Sequence, residues 1–395
     1  MKKISFLLCA LFVVSSSVAQ TKEIHFEKTS FADIKAKAKK EDKLIFIDAY
    51  TSWCGPCKWM AKNVFTNDTV ADYFNAKFVN AKFDMEQEEG PEIAKLYNVR
   101  CYPNLLFIDG DGKLVHRGAG GKEAREFIDL AENAFKTEKR YSRYMEQYAS
   151  KKSDPAFLLE YIEIMSHSCM PPDEVLKDYF GTQKDEALTS RINWETIRDY
   201  SNDPKSREFN YLLNNIDAYK KRYTADSVDS KIQQVLINGG YKTFYKKDAV
   251  EKEYTNYIES IKTLKYTGTG KVIFVLGMAY HKKAGDWAKY SQLVAEQGDE
   301  FLKDPQEVNN VSWNLYEHSD DKNALLKAEG WMKKAVDQAH DWYIFDTYAA
   351  ILYKLHKKAE AKAAALKAIE IAKKDGVGED EYKETKELLE KIEKL

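Results

Sequence analysis

The stretch Lys43-Leu44-Ile45-Phe46-Ile47-Asp48-Ala49-Tyr50-Thr51-Ser52-Trp53-Cys54-Gly55-Pro56-Cys57-Lys58 decides how the chain is read. Its first eight residues form an almost continuous apolar run, the pattern of a strand crossing the middle of a sheet. From Pro56 through Phe65 a helix is predicted, and proline suits a first helical turn, where its missing N–H costs nothing. Cys54 and Cys57 therefore stand at the start of a helix that follows a buried strand. Two cysteines at this spacing can exchange a disulfide or supply half of a zinc site. Zinc normally needs four ligands in paired spacings. Neither Cys101 nor His167-Ser168-Cys169 offers a second pair, so the reading is redox and no metal is expected.

Working outward, Glu23 to Phe26 reads as a short strand, and Ser30 as the cap of a helix through Phe31, Ile34 and Ala38. Thr66 to Thr69 breaks the redox helix, a further turn or two passes through Val70, Tyr73 and Phe74, and a strand follows at Phe78 to Phe83. A helix is predicted over Glu86 to Asn98, then a strand over Asn104 to Ile108. Asp109-Gly110-Asp111-Gly112 is a tight turn into Lys113 to Arg117. Gly118 to Gly121 is read as a flexible corner after that last strand, and Lys122 to Phe135 as a closing amphipathic helix. Strand, helix, strand, helix, hairpin, helix is the order of a small α/β sandwich.

From about Lys136 helical periodicity takes over to Leu395. Tyr141, Tyr144, Met145 and Tyr148 form one stripe at helical spacing and are expected in a core. Breaks are predicted near Asp154-Pro155, Pro171-Pro172, Asp203-Pro204, Gly239-Gly240, Gly268 to Gly270 and Asp304-Pro305. Trp313, Ala328, Met332 and Ala335 recur, 33 residues on, as Asp346, Ala361, Ala365 and Ala368. This spacing resembles the tetratricopeptide repeat family, whose units run about 34 residues.

Lys2-Lys3, the apolar segment Ile4 to Val14 and the small residues Ser17-Val18-Ala19 have the form of a cleavable export signal. The apolar run is too short to span a bilayer, and no later stretch reaches the length a transmembrane helix needs. An exported mature chain in a periplasm-type compartment is expected, with domains at 1–19 (signal), 20–137 (α/β) and 138–395 (helical). Among 395 residues, 61 Lys and Arg nearly balance 63 Asp and Glu, which gives no basic field for nucleic acid. The 25 tyrosines belong to packed structure rather than disorder. Cys101 and Cys169 fall in different expected domains and are read as separate thiols, Cys101 as a packed one; the alternatives are a disulfide between the two and a Cys101 that is modified or bonded to another molecule.

The segment from about Lys22 to Thr137 resembles the thioredoxin family, and four features carry the resemblance: Trp53-Cys54-Gly55-Pro56-Cys57-Lys58, with that family's own dipeptide between the cysteines; Asp48 with Lys82, at the places of a buried carboxylate and its lysine; Tyr102-Pro103, matching a cis-proline loop; and Gly118. The resemblance implies a thioredoxin-like α/β domain followed by an all-α, repeat-like domain. It also implies a thiol-disulfide oxidoreductase acting on disulfide-containing proteins, with no cofactor beyond a Cys54–Cys57 disulfide.

At a helix N-terminus the free N–H groups and the helix dipole favour a thiolate, so Cys54 is the expected nucleophile and Cys57 the resolving thiol. A buried Asp48 with raised pKa is the expected proton acceptor, tuned by Lys82. Trp53, Gly55, Pro56, Tyr102 and Pro103 are the expected substrate-binding residues, Pro103 offering a backbone edge. Gly55-Pro56 resembles a reductant of about −270 mV rather than an oxidant near about −120 mV, so disulfide reduction with a membrane electron donor is expected. The alternatives are a redox-responsive interaction module built on the helical repeats, and a disulfide oxidase or isomerase.

Overall fold

Five strands build one sheet: β1 (Phe26–Glu27), β2 (Leu44–Tyr50), β3 (Phe78–Asp84), β4 (Asn104–Ile108) and β5 (Leu114–Ala119), in the spatial order β1-β3-β2-β4-β5. The β1–β3 and β3–β2 pairings are parallel, and the β2–β4 and β4–β5 pairings are antiparallel. This is a computed structural model that describes residues 22–245 and 251–395, so the expected signal lies outside the described residues. The chain forms two compact units, one ending at Lys184 and one running from Asp185 to Leu395.

β2 is central because both of its faces are apolar. Ile45, Ile47 and Ala49 pack with Ile34 and Ala38 of α1 (Phe31–Glu41), and Phe46 on the other face packs with Met60 of α2 (Gly55–Asn63). Phe74 of α3 (Asp68–Lys77) meets the Phe46 ring at 4.9 Å. Ile93 of α4 (Gly90–Leu96) completes the first face, and Phe127 of α5 (Ala124–Asn133) the second. The Ser30 cap forms as expected, its Oγ accepting from the Asp33 N–H at 3.2 Å. Two expectations need correction. The first strand is shorter and later than Glu23–Phe26, and Gly118 lies inside β5, paired with Leu105, instead of following the strand. A Cβ at Gly118 would sit 2.7 Å from Leu130 Cδ2, so the glycine lets α5 close onto the sheet.

Three further helices belong to this unit: α6 (Tyr141–Tyr148), α7 (Pro155–His167) and α8 (Asp173–Thr182). The expected boundary at 137/138 thus falls within the first unit. The attachment is polar and specific. The Tyr141 N–H donates to His116 Nδ1 at 3.1 Å, and the Ser168 hydroxyl donates to the Arg117 carbonyl at 3.2 Å. Tyr141 and Tyr144 of the tyrosine stripe are buried, and the Tyr144 ring stacks on Tyr161 at 5.7 Å. Met145 is 53% exposed and so departs from the expected core stripe.

Burial holds His116 down to about 4, with Arg140 adding in the same direction. Between pH 6.5 and 4 the unfolded chain gains a proton here that the folded one refuses, so stability is lost on acidification through that window. The loss is about 3 kcal/mol at its limit. His116→Asn, which keeps an acceptor for Tyr141, is expected to remove this contribution to the pH dependence, read from hydrogen-exchange protection of the β4 amides against pH.

The second unit is entirely helical among its described residues: α9 (Arg191–Tyr200), α10 (Arg207–Asn214), α11 (Ile216–Arg222), α12 (Ala225–Phe244), α13 (Glu251–Lys262), α14 (Thr269–Ala284), α15 (Trp287–Phe301), α16 (Pro305–His318), α17 (Lys322–Gln338), α18 (Trp342–Lys354), α19 (Lys358–Lys374) and α20 (Lys383–Glu393). Most expected breaks fall between helices, with Asp304 capping α16 through the Gln306 and Glu307 N–H groups. Gly239-Gly240 does not: both glycines lie inside α12. A Cβ on Gly240 would lie 2.6 Å from Leu276 Cδ2, so the pair serves close helix packing and not chain reversal. The 33-residue recurrence holds in space. Ala328, Met332 and Ala335 on α17, and Ala361, Ala365 and Ala368 on α19, are all buried. No described helix is long and apolar enough to cross a membrane.

Candidate functional site

β2 ends at Tyr50 and α2 begins at Gly55, so the intervening turn carries the chemistry to the rim of the sheet. Cys54 is the N-cap residue of α2, its Sγ accepting from the Cys57 N–H at 3.1 Å, and Pro56 occupies the first turn. Cys54 and Cys57 are joined as a disulfide with their Cα atoms 5.3 Å apart. Both are buried, while Gly55 and Pro56 between them are exposed. The helix N-terminus thus points free N–H groups toward the sulfur that would carry a thiolate once the bond is reduced.

An aromatic wall stands beside the pair. Trp53 is 64% exposed, so it is no core residue. It is nonetheless held: its Nε1–H donates to the Glu86 carboxylate at 3.0 and 3.1 Å, and its ring meets Tyr102 edge-to-face at 5.9 Å. The Tyr102-Pro103 peptide is cis, and the Pro103 carbonyl accepts from the Gly120 N–H at 2.9 Å. Glu86 was invisible in the sequence, because its contact with Trp53 spans 33 residues and follows no local period.

Asp48 lies on β2 two residues after Phe46, hence on the same face as the α2 side of the core. It is 4% exposed and its Oδ1 has no hydrogen-bond partner among the described residues. Burial pushes its carboxyl up to about 7, and the positive charge of Lys82 pulls it part of the way back. Asp48 and Lys82 are register partners across the parallel β2–β3 pair. They form no ion pair among the described residues. The Lys82 ammonium sits over the Phe26 and Tyr50 rings, at 5.5 and 6.0 Å from their centroids.

Cys101 and Cys169 are also joined as a disulfide, with Cα atoms 6.4 Å apart, which corrects the reading of two separate thiols. The expected domain boundary hid the pairing. Because α6 and α7 fold back onto β5, the turn after α7 reaches the residue just before Tyr102. The bond closes 68 residues, and in the chain-entropy account such a loop contributes about 4 kcal/mol. The double replacement Cys101→Ser with Cys169→Ser is expected to lower the stability of the first unit by about 2–4 kcal/mol, measured as exchange protection in α7.

With this geometry in hand, the chain can be set beside known proteins. A family model described as "Thioredox_DsbH: Protein of unknown function, DUF255" matches residues 19–105. A thioredoxin of Chlorobaculum thiosulfatiphilum is 32% identical over 96 residues, covering 24% of this chain and 82% of that protein. The chain belongs to the thioredoxin family. The chloroplastic thioredoxin Y of Oryza sativa subsp. japonica is 27% identical, covering 30% of this chain and 67% of that one. The solution structure of a candidate disulphide-isomerase from Bacteroides thetaiotaomicron is 46% identical, covering 30% of this chain and 97% of that one, with a TM-score of 0.28. As a thioredoxin-family protein with a disulfide-bonded Cys54–Cys57 pair, the chain is a thiol-disulfide oxidoreductase, and its family implies disulfide-containing protein substrates.

Proposed function

We propose that this chain is an exported reductase of protein disulfides, working through Cys54 as nucleophile and Cys57 as resolving thiol. The observation that carries the reading is the placing of Cys54 at the cap of α2, with its sulfur accepting from the Cys57 N–H. In the reduced protein the Cys54 thiolate attacks one sulfur of a substrate disulfide. A mixed disulfide forms, and the other substrate sulfur leaves as a thiolate that takes up a proton. Cys57 then gives its proton to Asp48 and attacks the Cys54 sulfur, which expels the second substrate thiolate and forms the Cys54–Cys57 disulfide. The second substrate thiolate takes up a proton as the first did, and Asp48 releases the one it accepted. Two electrons have thus passed to the substrate, and a dithiol donor at the membrane returns them to the Cys54–Cys57 pair. The substrate is assigned to Trp53, Gly55, Pro56, Tyr102 and Pro103; the Trp53 and Tyr102 rings meet edge-to-face, and Gly55 and Pro56 are exposed.

The Lys2-Lys3 start and the small residues before Gln20 support export, and the Gly55-Pro56 dipeptide supports the reducing direction. Equilibrating Cys54/Cys57 in glutathione buffers tests that direction. The expected midpoint lies near about −270 mV, and a value above about −180 mV would replace the reductase with an oxidase or isomerase.

A further inference from the structure

The second unit holds a cavity of about 430 Å³ that the redox reaction does not use. It lies among the alternate helices α14, α16, α18 and α20, the first members of successive hairpins, so its wall is built by the repeat itself. Asp346 of α18 and Asn309 of α16 line it. Both are more than nine-tenths buried, and the Oδ1 atom of each has no hydrogen-bond donor among the described residues. Buried acceptors left without donors are costly, which marks a place where a donor belongs.

The surrounding charge says which donor. Glu381 and Glu384 also line the cavity and stand in no ion pair among the described residues, against the single cation Lys282. With Asp346 ionised, the lining carries three negative charges and one positive. Burial holds the Asp346 carboxyl up at about 6; the Thr385 hydroxyl beside it pulls the other way, and the charge of Glu384 adds to the rise. No group of His, Cys, Asp and Glu among the described residues is placed to hold a metal ion. Trp313 and Trp342 stand in the wall with the polar side chains of Asn310, Asn314, Thr347 and Thr385, and indole rings suit both an alkyl stem and the charge at its end.

We propose that this cavity binds a lysine or arginine side chain carried by an extended segment of a partner protein. The ammonium or guanidinium group donates to Asp346 and Asn309, which between them offer acceptors to a group with three or five N–H donors. The alkyl stem lies along Trp313 and Trp342, while Glu381 and Glu384 attract the approaching cation. The volume is of the size that holds a drug-sized ligand and exceeds one side chain, so residues flanking the cation enter with it. The site stands whether or not the redox pair acts as a reductase, since it shares no residue with it.

The test is calorimetric titration of the full chain with blocked pentapeptides bearing lysine, arginine or norleucine at the centre between two leucines, and with N-acetyl-lysine methylamide as a free amine. The lysine and arginine peptides are expected to bind at least tenfold more tightly than the norleucine peptide, and more tightly than the free amine. Asp346→Asn keeps the side-chain shape and is expected to remove at least a tenfold share of that affinity. Glu384→Gln, at an exposed position, is expected to weaken binding several-fold at low salt and little at high salt. Equal binding of the norleucine peptide, no binding of any peptide, or affinity unchanged in both variants would overturn the proposal. Tighter binding of the free amine would overturn its assignment to a protein segment.

Discussion

Cys57→Ser is expected to lower turnover of a protein disulfide to background while trapping the substrate on Cys54. Cys54 remains at the N-cap, where the free N–H groups of α2 still favour its thiolate, so attack on the substrate proceeds. Release requires a second sulfur one helical turn on, and serine cannot supply it. The mixed disulfide should therefore accumulate, visible as a reductant-sensitive mass increase equal to the substrate. Cys54→Ser should abolish turnover to the same extent but trap nothing, because Cys57 lies inside the first turn of α2 and not at its N-cap, where a thiolate is favoured. A Cys57→Ser protein that formed no adduct would remove Cys54 from the nucleophile's role. Adducts in Cys54→Ser but not in Cys57→Ser would reverse the two assignments.

Asp48→Asn is expected to slow exchange about a hundredfold at neutral pH, at the lower end of what a positioned base contributes. In the parent protein the rate should rise with pH through about 7, where the buried carboxyl gives up its proton and becomes able to accept one from Cys57. The variant should lack that rise, whereas a merely structural Asp48 would leave the profile's shape unchanged. The same substitution has an opposite effect on stability. Asp48 keeps its proton in the folded chain up to about 7 while the unfolded chain loses it near 3.8, so stability falls with rising pH across that window. Removing the carboxylate should therefore stabilise the oxidised protein above pH 7 by about 4 kcal/mol.

His116 works with the opposite sign over nearly the same range, its stability contribution rising from pH 4 to 6.5. The two slopes oppose each other, so the parent should show a nearly flat stability profile there. Asp48→Asn should expose the His116 slope, and His116→Asn the Asp48 slope. Both are read in the β4 amide protection already described.

The residues from Lys43 to Lys58 by themselves determined the strand, the redox helix and the cysteine pair, because apolar runs, helix caps and a proline in the first turn act through neighbours a few positions apart. The Ser30 cap and the order of strands and helices were legible for the same reason. Resemblance added Asp48, Lys82 and Pro103, yet neither spacing nor resemblance indicated that Asp48 meets Lys82 only through register, without an ion pair. The Trp53–Glu86 hydrogen bonds, the Cys101–Cys169 bond and the attachment of α6 and α7 to β5 join residues tens of positions apart. No local period encodes such contacts; they depend on which surfaces remain apolar after each element has formed. The glycines show the same division. Gly239 and Gly240 read as a break because glycine weakens an isolated helix. In the folded unit the space they leave for Tyr257 and Leu276 decides instead, and the helix runs straight through them.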